Sequence, residues 1–146
     1  MEDTTSKIFL EWSDIHECIR ILSKKVFMEY PNIDSVMGLP RGGLVPAVMI
    51  SHELGLPLVF LASRNTLVID DINDTGETIN WIKKDWKLTT HPTRSISPDI
   101  WGNNVRFACL MDNLPSEAEI QYFGTEINKE EDPSWIVFPH EGWWQQ

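Results

Sequence analysis

Apolar positions along the chain follow two alternating rhythms. Across residues 12–30, Ile15, Cys18, Ile19, Leu22 and Val26 recur at the three- and four-residue spacing of one helix face. Ser13 is a candidate cap for this helix, and Pro31 and Asn32 end it. A second helix is predicted over Leu44–Leu54, stopped by Gly55, and a third over residues 77–86. Between the helices lie apolar runs too short to be helical, at residues 8–11, 35–39, 58–61, 66–69, 105–111 and 135–138, with a weaker one at 122–126. Strands that alternate with helices predict an α/β fold with a largely parallel sheet. Residues 88–104 hold Pro92, Pro98, Gly102 and several Ser and Thr, and read as a long surface or subunit-contact loop on the side away from a ligand crevice. Residues 128–132 read as a charged, solvated loop.

Composition narrows the classes. A chain of 146 residues fits one domain, residues 1–146, with a real core. The net charge of −10, with no cluster of Lys or Arg, argues against nucleic acid as a partner. Two cysteines, Cys18 and Cys109, give neither a disulfide framework nor a zinc site. No apolar run reaches membrane-spanning length, so the expected setting is the cytoplasm, with no membrane partner.

The densest chemistry lies in Thr66-Leu67-Val68-Ile69-Asp70-Asp71-Ile72-Asn73-Asp74-Thr75-Gly76-Glu77-Thr78. A buried strand leads into three acids and then a turn of Thr, Gly and Thr before a helix. Adjacent carboxylates at a strand end repel each other and do little for folding. They can instead bind sugar hydroxyls or a hydrated magnesium ion, which favours oxygen ligands. The turn offers hydroxyls, backbone N–H groups and a glycine free to take positive φ. The helix N-terminus behind it favours phosphate. A plain strand–turn–helix with Asp and Thr caps is the alternative. A second segment, Arg41-Gly42-Gly43, combines a forked cation with backbone that phosphate can approach closely, an anion nest.

Asp70 to Thr78 resembles the phosphoribosyl-pyrophosphate (PRPP) signature of the type I phosphoribosyltransferases. Val36-Met37-Gly38-Leu39-Pro40-Arg41-Gly42-Gly43-Leu44-Val45-Pro46-Ala47 resembles the pyrophosphate loop of that family, and its Arg-Gly-Gly-Leu-Val-Pro run is most like the bacterial xanthine-guanine branch. Trp135-Ile136-Val137-Phe138-Pro139-His140-Glu141 is similar to the ending of that branch, with His140 where the family usually has Trp. Trp12-Ser13-Asp14 ahead of a helix is similar too.

The resemblance implies a central, mostly parallel sheet flanked by helices in flavodoxin-like strand order, with a small C-terminal base-binding portion. It implies an enzyme, a pentosyltransferase that moves ribose 5-phosphate from PRPP to a nitrogenous base, a purine in nucleotide salvage, with release of pyrophosphate. Asp70 and Asp71 would hold ribose hydroxyls and Mg2+, and Asp74 would be the catalytic acid/base. Asp74, Thr75, Gly76, Glu77 and Thr78 would cradle the 5′-phosphate, and Arg41, Gly42 and Gly43 the pyrophosphate, with the Pro40–Arg41 peptide cis. Trp135 and Ile136 would take the base. A homodimer or homotetramer is implied, with Trp101, Trp143 and Trp144 either interface anchors or core residues. Two departures stand out. The family's Lys for the purine 6-oxo group is absent where residues 105–111 end, and Met111, Asp112 and Asn113 stand there instead; Asn113 or Asp112 is then the candidate base contact. The family's long hood is reduced to Ala62-Ser63-Arg64-Asn65, which leaves the 58–61 strand short, shifted or antiparallel, with Arg64 either a site residue or a plain turn residue. The alternatives are a non-catalytic PRPP- or nucleotide-binding regulatory module, and transfer to a different nitrogen acceptor.

Overall fold

In the computed structural model, residues 6–63, 65–89 and 105–141 are described. Nine elements follow in chain order: β1 (Lys7–Phe9), α1 (Trp12–Glu29), β2 (Ser35–Gly38), α2 (Leu44–Leu54), β3 (Thr66–Asn73), α3 (Glu77–Thr89), β4 (Arg106–Asn113), β5 (Tyr122–Ile127) and β6 (Trp135–Val137). The main sheet has the order β2-β3-β4-β5, and every neighbouring pair is parallel. β1 and β6, the first and last strands, form a separate parallel pair.

Side-chain alternation along the strands explains the layers. On β3, Leu67 and Ile69 join the cluster that contains Ile15, Leu22 and Val26 of α1 and Ala47 and Ile50 of α2. The intervening Val68 joins Ile79 and Ile82 of α3. β4 repeats the split, with Ala108 and Leu110 on the first side and Phe107 and Cys109 on the second. Successive residues of a strand point to opposite faces, so α1 and α2 cover one face and α3 the other. The apolar face read from the α1 sequence is therefore the buried one. None of the described helices is long and apolar enough to cross a membrane.

Three local expectations change. Ser13 lies inside α1 and does not cap it; Glu11 precedes the helix, and its N–H donates to the Asp14 carboxylate at 2.8 Å. β3 continues past Ile69 to Asn73, so Asp70 and Asp71 lie within the strand, paired to β4 through Asp70↔Cys109 and Asn73↔Asp112. The 58–61 strand shrinks to one parallel bridge, Leu58 to Val36, flanking β2 on the side away from β3. That register resolves the tight crossover. Leu58 stands level with Val36, and Thr66 pairs with Ser35, the adjacent rung. The chain therefore crosses two strand spacings, roughly 10 Å, without travelling back along a strand. Thr66 N–H donates to the Ser63 carbonyl, and Asp34 N–H to the Asn65 carbonyl at 2.9 Å, which closes this turn at the start of β3. Arg64, Trp101, Trp143 and Trp144 lie outside the described residues, as does most of the predicted 88–104 loop; its first residues extend α3 to Thr89.

Candidate active site

Parallel strands deliver their C-terminal ends to one edge of the sheet, where ligands of α/β folds bind. The ends of β2 and β3 bring the two sequence motifs together there. Leu39 N–H donates to the Ile69 carbonyl at 2.8 Å, so the loop after β2 starts against β3 just ahead of Asp70 and Asp71. The Pro40–Arg41 peptide is cis. Gly42 lies so close to the Asp71 carboxylate that a Cβ at position 42 would overlap it. Arg41, Gly42, Asp71, His140 and Glu141 line a cavity of about 340 Å³.

Asp70 and Asp71 are each held by local backbone. Asp71 N–H donates to Asp70 Oδ1 at 2.9 Å, and Ile72 N–H to Asp71 Oδ1 at 2.8 Å. Burial, and then the neighbouring Asp71 charge, push the Asp70 carboxyl up to about 7. Burial also raises the Cys109 thiol well above its ordinary value, helped by Asp70, Asp71 and Asp112; this cysteine is a core residue with no thiolate to offer.

The turn after β3 is fixed from behind. Gly76 has φ +91°, and its α-carbon packs against Ser116 and Ala118 with no space for a side chain. Glu117 N–H donates to the Thr75 carbonyl at 3.0 Å, and Glu77 N–H to Thr75 Oγ1 at 3.3 Å. Thr75, Glu77 and Thr78 remain exposed around the first turn of α3. Rigid backing and an open helix N-terminus suit a phosphate monoester.

The C-terminal segment reaches back to this edge. Glu141 N–H donates to the Phe138 carbonyl at 3.2 Å, and Phe138 N–H donates to Glu141 Oε1 at 2.8 Å. This β-turn carries Pro139 at its second position, where a fixed φ is favoured. It aims His140 at the glycine loop. Nε2 donates to the Gly42 carbonyl at 3.1 Å and lies 4.0 Å from Asp71 Oδ2. A carbonyl only accepts, so Nε2 carries the proton. Nδ1 is buried without a hydrogen-bond partner among the described residues.

Asp74 sits in a different environment. Lys129 Nζ lies 2.9 Å from Asp74 Oδ2. Asn113 Nδ2 donates to the Asp74 carbonyl at 2.9 Å and more weakly to Oδ1 at 3.4 Å. Asn113 Oδ1 in turn accepts from Lys129 N–H at 2.9 Å. The same Lys129 ammonium lies over the Trp135 ring, 4.9 Å from its centroid. Trp135 is 53% exposed, whereas the Ile136 side chain is buried in the main core. Asn113 and Asp112 are thus occupied within the protein: Asp112 Oδ1 accepts from Asn73 Nδ2 at 2.8 Å. Lys129 was hidden in the sequence. It lies in the stretch read as a solvated charged loop, and its side chain turns inward instead.

No family model matches the chain. It is 24% identical to xanthine-guanine phosphoribosyltransferase of Nitratidesulfovibrio vulgaris, over 94% of this chain and 86% of that protein. Its fold superimposes on the purine phosphoribosyltransferase of Pyrococcus horikoshii with a TM-score of 0.68, at 23% identity, covering 91% of this chain and 93% of the other. It matches the Helicobacter pylori xanthine-guanine-hypoxanthine phosphoribosyltransferase with a TM-score of 0.74, at 15% identity, covering 97% and 96%. The fold is that of the type I phosphoribosyltransferases. Its relatives by sequence include bacterial xanthine-guanine phosphoribosyltransferases. The Leu58 bridge, placed outside β2, completes the flavodoxin-like strand order that the resemblance implied.

Proposed function

We propose that the protein transfers ribose 5-phosphate from PRPP to a purine base and releases pyrophosphate. The observation that carries this reading is the contact between Gly42 and the Asp71 carboxylate. It makes the anion loop and Asp71, one of the acid pair, two walls of one cavity. The 5′-phosphate is assigned to the turn from Asp74 to Thr78 and the start of α3, and the pyrophosphate to Arg41, Gly42 and Gly43. Asp70 and Asp71 take the ribose hydroxyls.

The residues present fit a magnesium ion. Asp70 and Asp71 supply carboxylate oxygens, and the burial and then the neighbouring Asp71 charge that raise the Asp70 carboxyl would both be offset by a dication. Mg2+ is held through one or two carboxylates together with substrate phosphates and water. When bound, it offsets the charge of the departing pyrophosphate. It also answers how a chain of net charge −10 accepts a polyanion.

The base nitrogen forms its bond to C1′ of the ribose as the bond from C1′ to the pyrophosphate oxygen breaks, and the electron pair leaves with pyrophosphate. Positive charge develops on the ribosyl ring between the two events. Catalysis is positioning and electrostatics. Asp74 takes the proton that the base gives up. Trp135 supplies a stacking face, and Ile136 contributes through its main chain. The reading extends to one domain across residues 1–146, a cytoplasmic setting and a homodimer or homotetramer, which size-exclusion chromatography with light scattering would check.

The deciding experiment measures pyrophosphate release from PRPP and Mg2+ with a panel of purines and pyrimidines. Release with a purine is expected. PRPP binding without turnover on any base would instead make the protein a regulatory binding module.

A further inference from the structure

The start of α2 leaves one carbonyl of the glycine loop without a helical partner. In an α-helix each carbonyl accepts from the N–H four residues on. Gly43, which precedes α2, obeys this rule: Ala47 N–H donates to its carbonyl at 3.0 Å. For Gly42 the donor would be residue 46, which is proline and has no N–H. Other carbonyls of the loop are served locally. Gly43 N–H donates to the Leu39 carbonyl at 2.8 Å, and Leu44 N–H to the Arg41 carbonyl at 3.1 Å. The Gly42 carbonyl instead accepts from His140 Nε2 at 3.1 Å, across 98 positions of sequence. We infer that His140 is a positioning residue for pyrophosphate: it occupies the carbonyl that Pro46 orphans, and so keeps the donors of the glycine loop turned toward the anion. The inference rests on the assignment of pyrophosphate to Arg41, Gly42 and Gly43 above, and adds the group that holds their backbone in place.

An anion nest works when its N–H groups face the ligand and its carbonyls do not. Gly42 and His140 both line the cavity, beside the Asp71 carboxylate. A bare carbonyl there would add a second acceptor to a wall that must receive a polyanion. The Gly42–Gly43 peptide joins two residues without Cβ atoms, so sterics alone barely restrain its rotation. Two hydrogen bonds pin it, from Gly43 N–H to Leu39 and from His140 to the Gly42 carbonyl. The N–H groups of Arg41 and Gly42 have no partner among the described residues and stay available. The imidazole itself is held firmly. Its side chain is only 5% exposed, its ring centroid lies 5.4 Å from that of Phe138, and the bond from Phe138 N–H to Glu141 closes the turn that carries it. Nε2 is 4.0 Å from Asp71 Oδ2, beyond hydrogen-bond length. The proton therefore goes to the carbonyl, and Asp71 stays free for ligand. Nε2 donates in the imidazolium as well, so the contact does not depend on the state of Nδ1.

The test compares His140→Leu, which removes the donor, with His140→Gln, which keeps an amide donor on a flexible stem. Calorimetry with Mg2+ gives the affinity for pyrophosphate and for GMP, which carries a 5′-phosphate and no pyrophosphate. His140→Leu is expected to weaken pyrophosphate binding by about tenfold, the effect of one unsatisfied buried acceptor. The KM for PRPP should rise with it, while GMP affinity and the KM for the base stay level. His140→Gln should recover most of the loss. So should Pro46→Ala in the His140→Leu background, because residue 46 then offers its own N–H to Gly42. A merely structural role would weaken GMP and pyrophosphate together, and neither second change would restore them. That result, or wild-type pyrophosphate affinity in His140→Leu, overturns the inference. A second readout needs no variant: NMR hydrogen exchange at the His140 ring N–H. Protection is expected, and exchange at the rate of an exposed imidazole overturns the assignment. A wild type that binds pyrophosphate but releases none from PRPP with any base defeats the transferase reading and leaves the role of His140 standing. A wild type that does not bind pyrophosphate overturns both.

Discussion

The two ends of the candidate site are built in opposite ways. At the end proposed for PRPP, the groups are near in sequence: Asp70 to Thr78 is one continuous segment, and the Arg41–Gly43 loop joins it. At the acceptor end, recognition is side chain and distant in sequence. Asp74 meets Lys129 across 55 positions and Asn113 across 39. The first kind of site depends on a backbone path, which a few glycines and turn residues specify. The second depends on which side chains the fold happens to bring face to face. Substitutions at the two ends should therefore produce different kinetic signatures.

Asp74→Asn gives the largest effect. It keeps the shape and removes the proton acceptor, so turnover should fall by roughly 10²–10⁴, with PRPP affinity by calorimetry near wild type. Turnover equal to wild type would remove Asp74 from the acid/base role. Gly42→Ala strikes the other end. The new Cβ overlaps the Asp71 carboxylate, and relief of such overpacking costs about 1–3 kcal/mol. Weaker PRPP and pyrophosphate binding is expected, while the KM for the base stays level; a matching rise in that KM would merge the two ends into one. Trp135→Ala should do the converse. Loss of a stacking face costs about 1–3 kcal/mol per base, read as a higher KM for the base with PRPP untouched.

The smallest effect concerns stability. The Asp70 carboxyl titrates near 7 in the fold against 3.8 without it. Between those values the folded state holds more protons than the unfolded state, so metal-free stability falls as pH rises through that window and stays low above it. Asp70→Asn removes the titration. Its Tm by calorimetry should exceed that of wild type at pH 8, on the order of a few degrees, and the gap should close toward pH 4. A constant gap across that range would show that Asp70 is not the titrating group.

These contrasts also explain what could be read from the sequence. The helical faces were legible because burial and the 3.6-residue period coincide, as Ile15, Leu22 and Val26 illustrate. The PRPP end was legible because its parts are adjacent. The end of β3 was misread, since hydropathy stops at Ile69 while ladder pairing continues to Asn73 under polar side chains. Lys129 was illegible. A lysine among Glu130, Glu131 and Asp132 has the composition of a solvated turn, and only packing shows it pointing at Asp74. The 58–61 strand was overcalled because hydropathy does not separate a strand from an exposed apolar run: beyond the Leu58 bridge, Phe60 and Leu61 point to solvent.

β1 has no strand partner other than β6 among the described residues, and the glycine loop receives His140 from 98 positions downstream. A ribosome emits the chain from one end only. The four strands of the main sheet can align while synthesis is under way, yet the cavity wall stays unfinished until residue 140 has left the exit tunnel. Vectorial synthesis thus makes completion of the cavity a late event for this protein, and a nascent chain halted after β5 should be packed at its centre while still lacking the His140 wall.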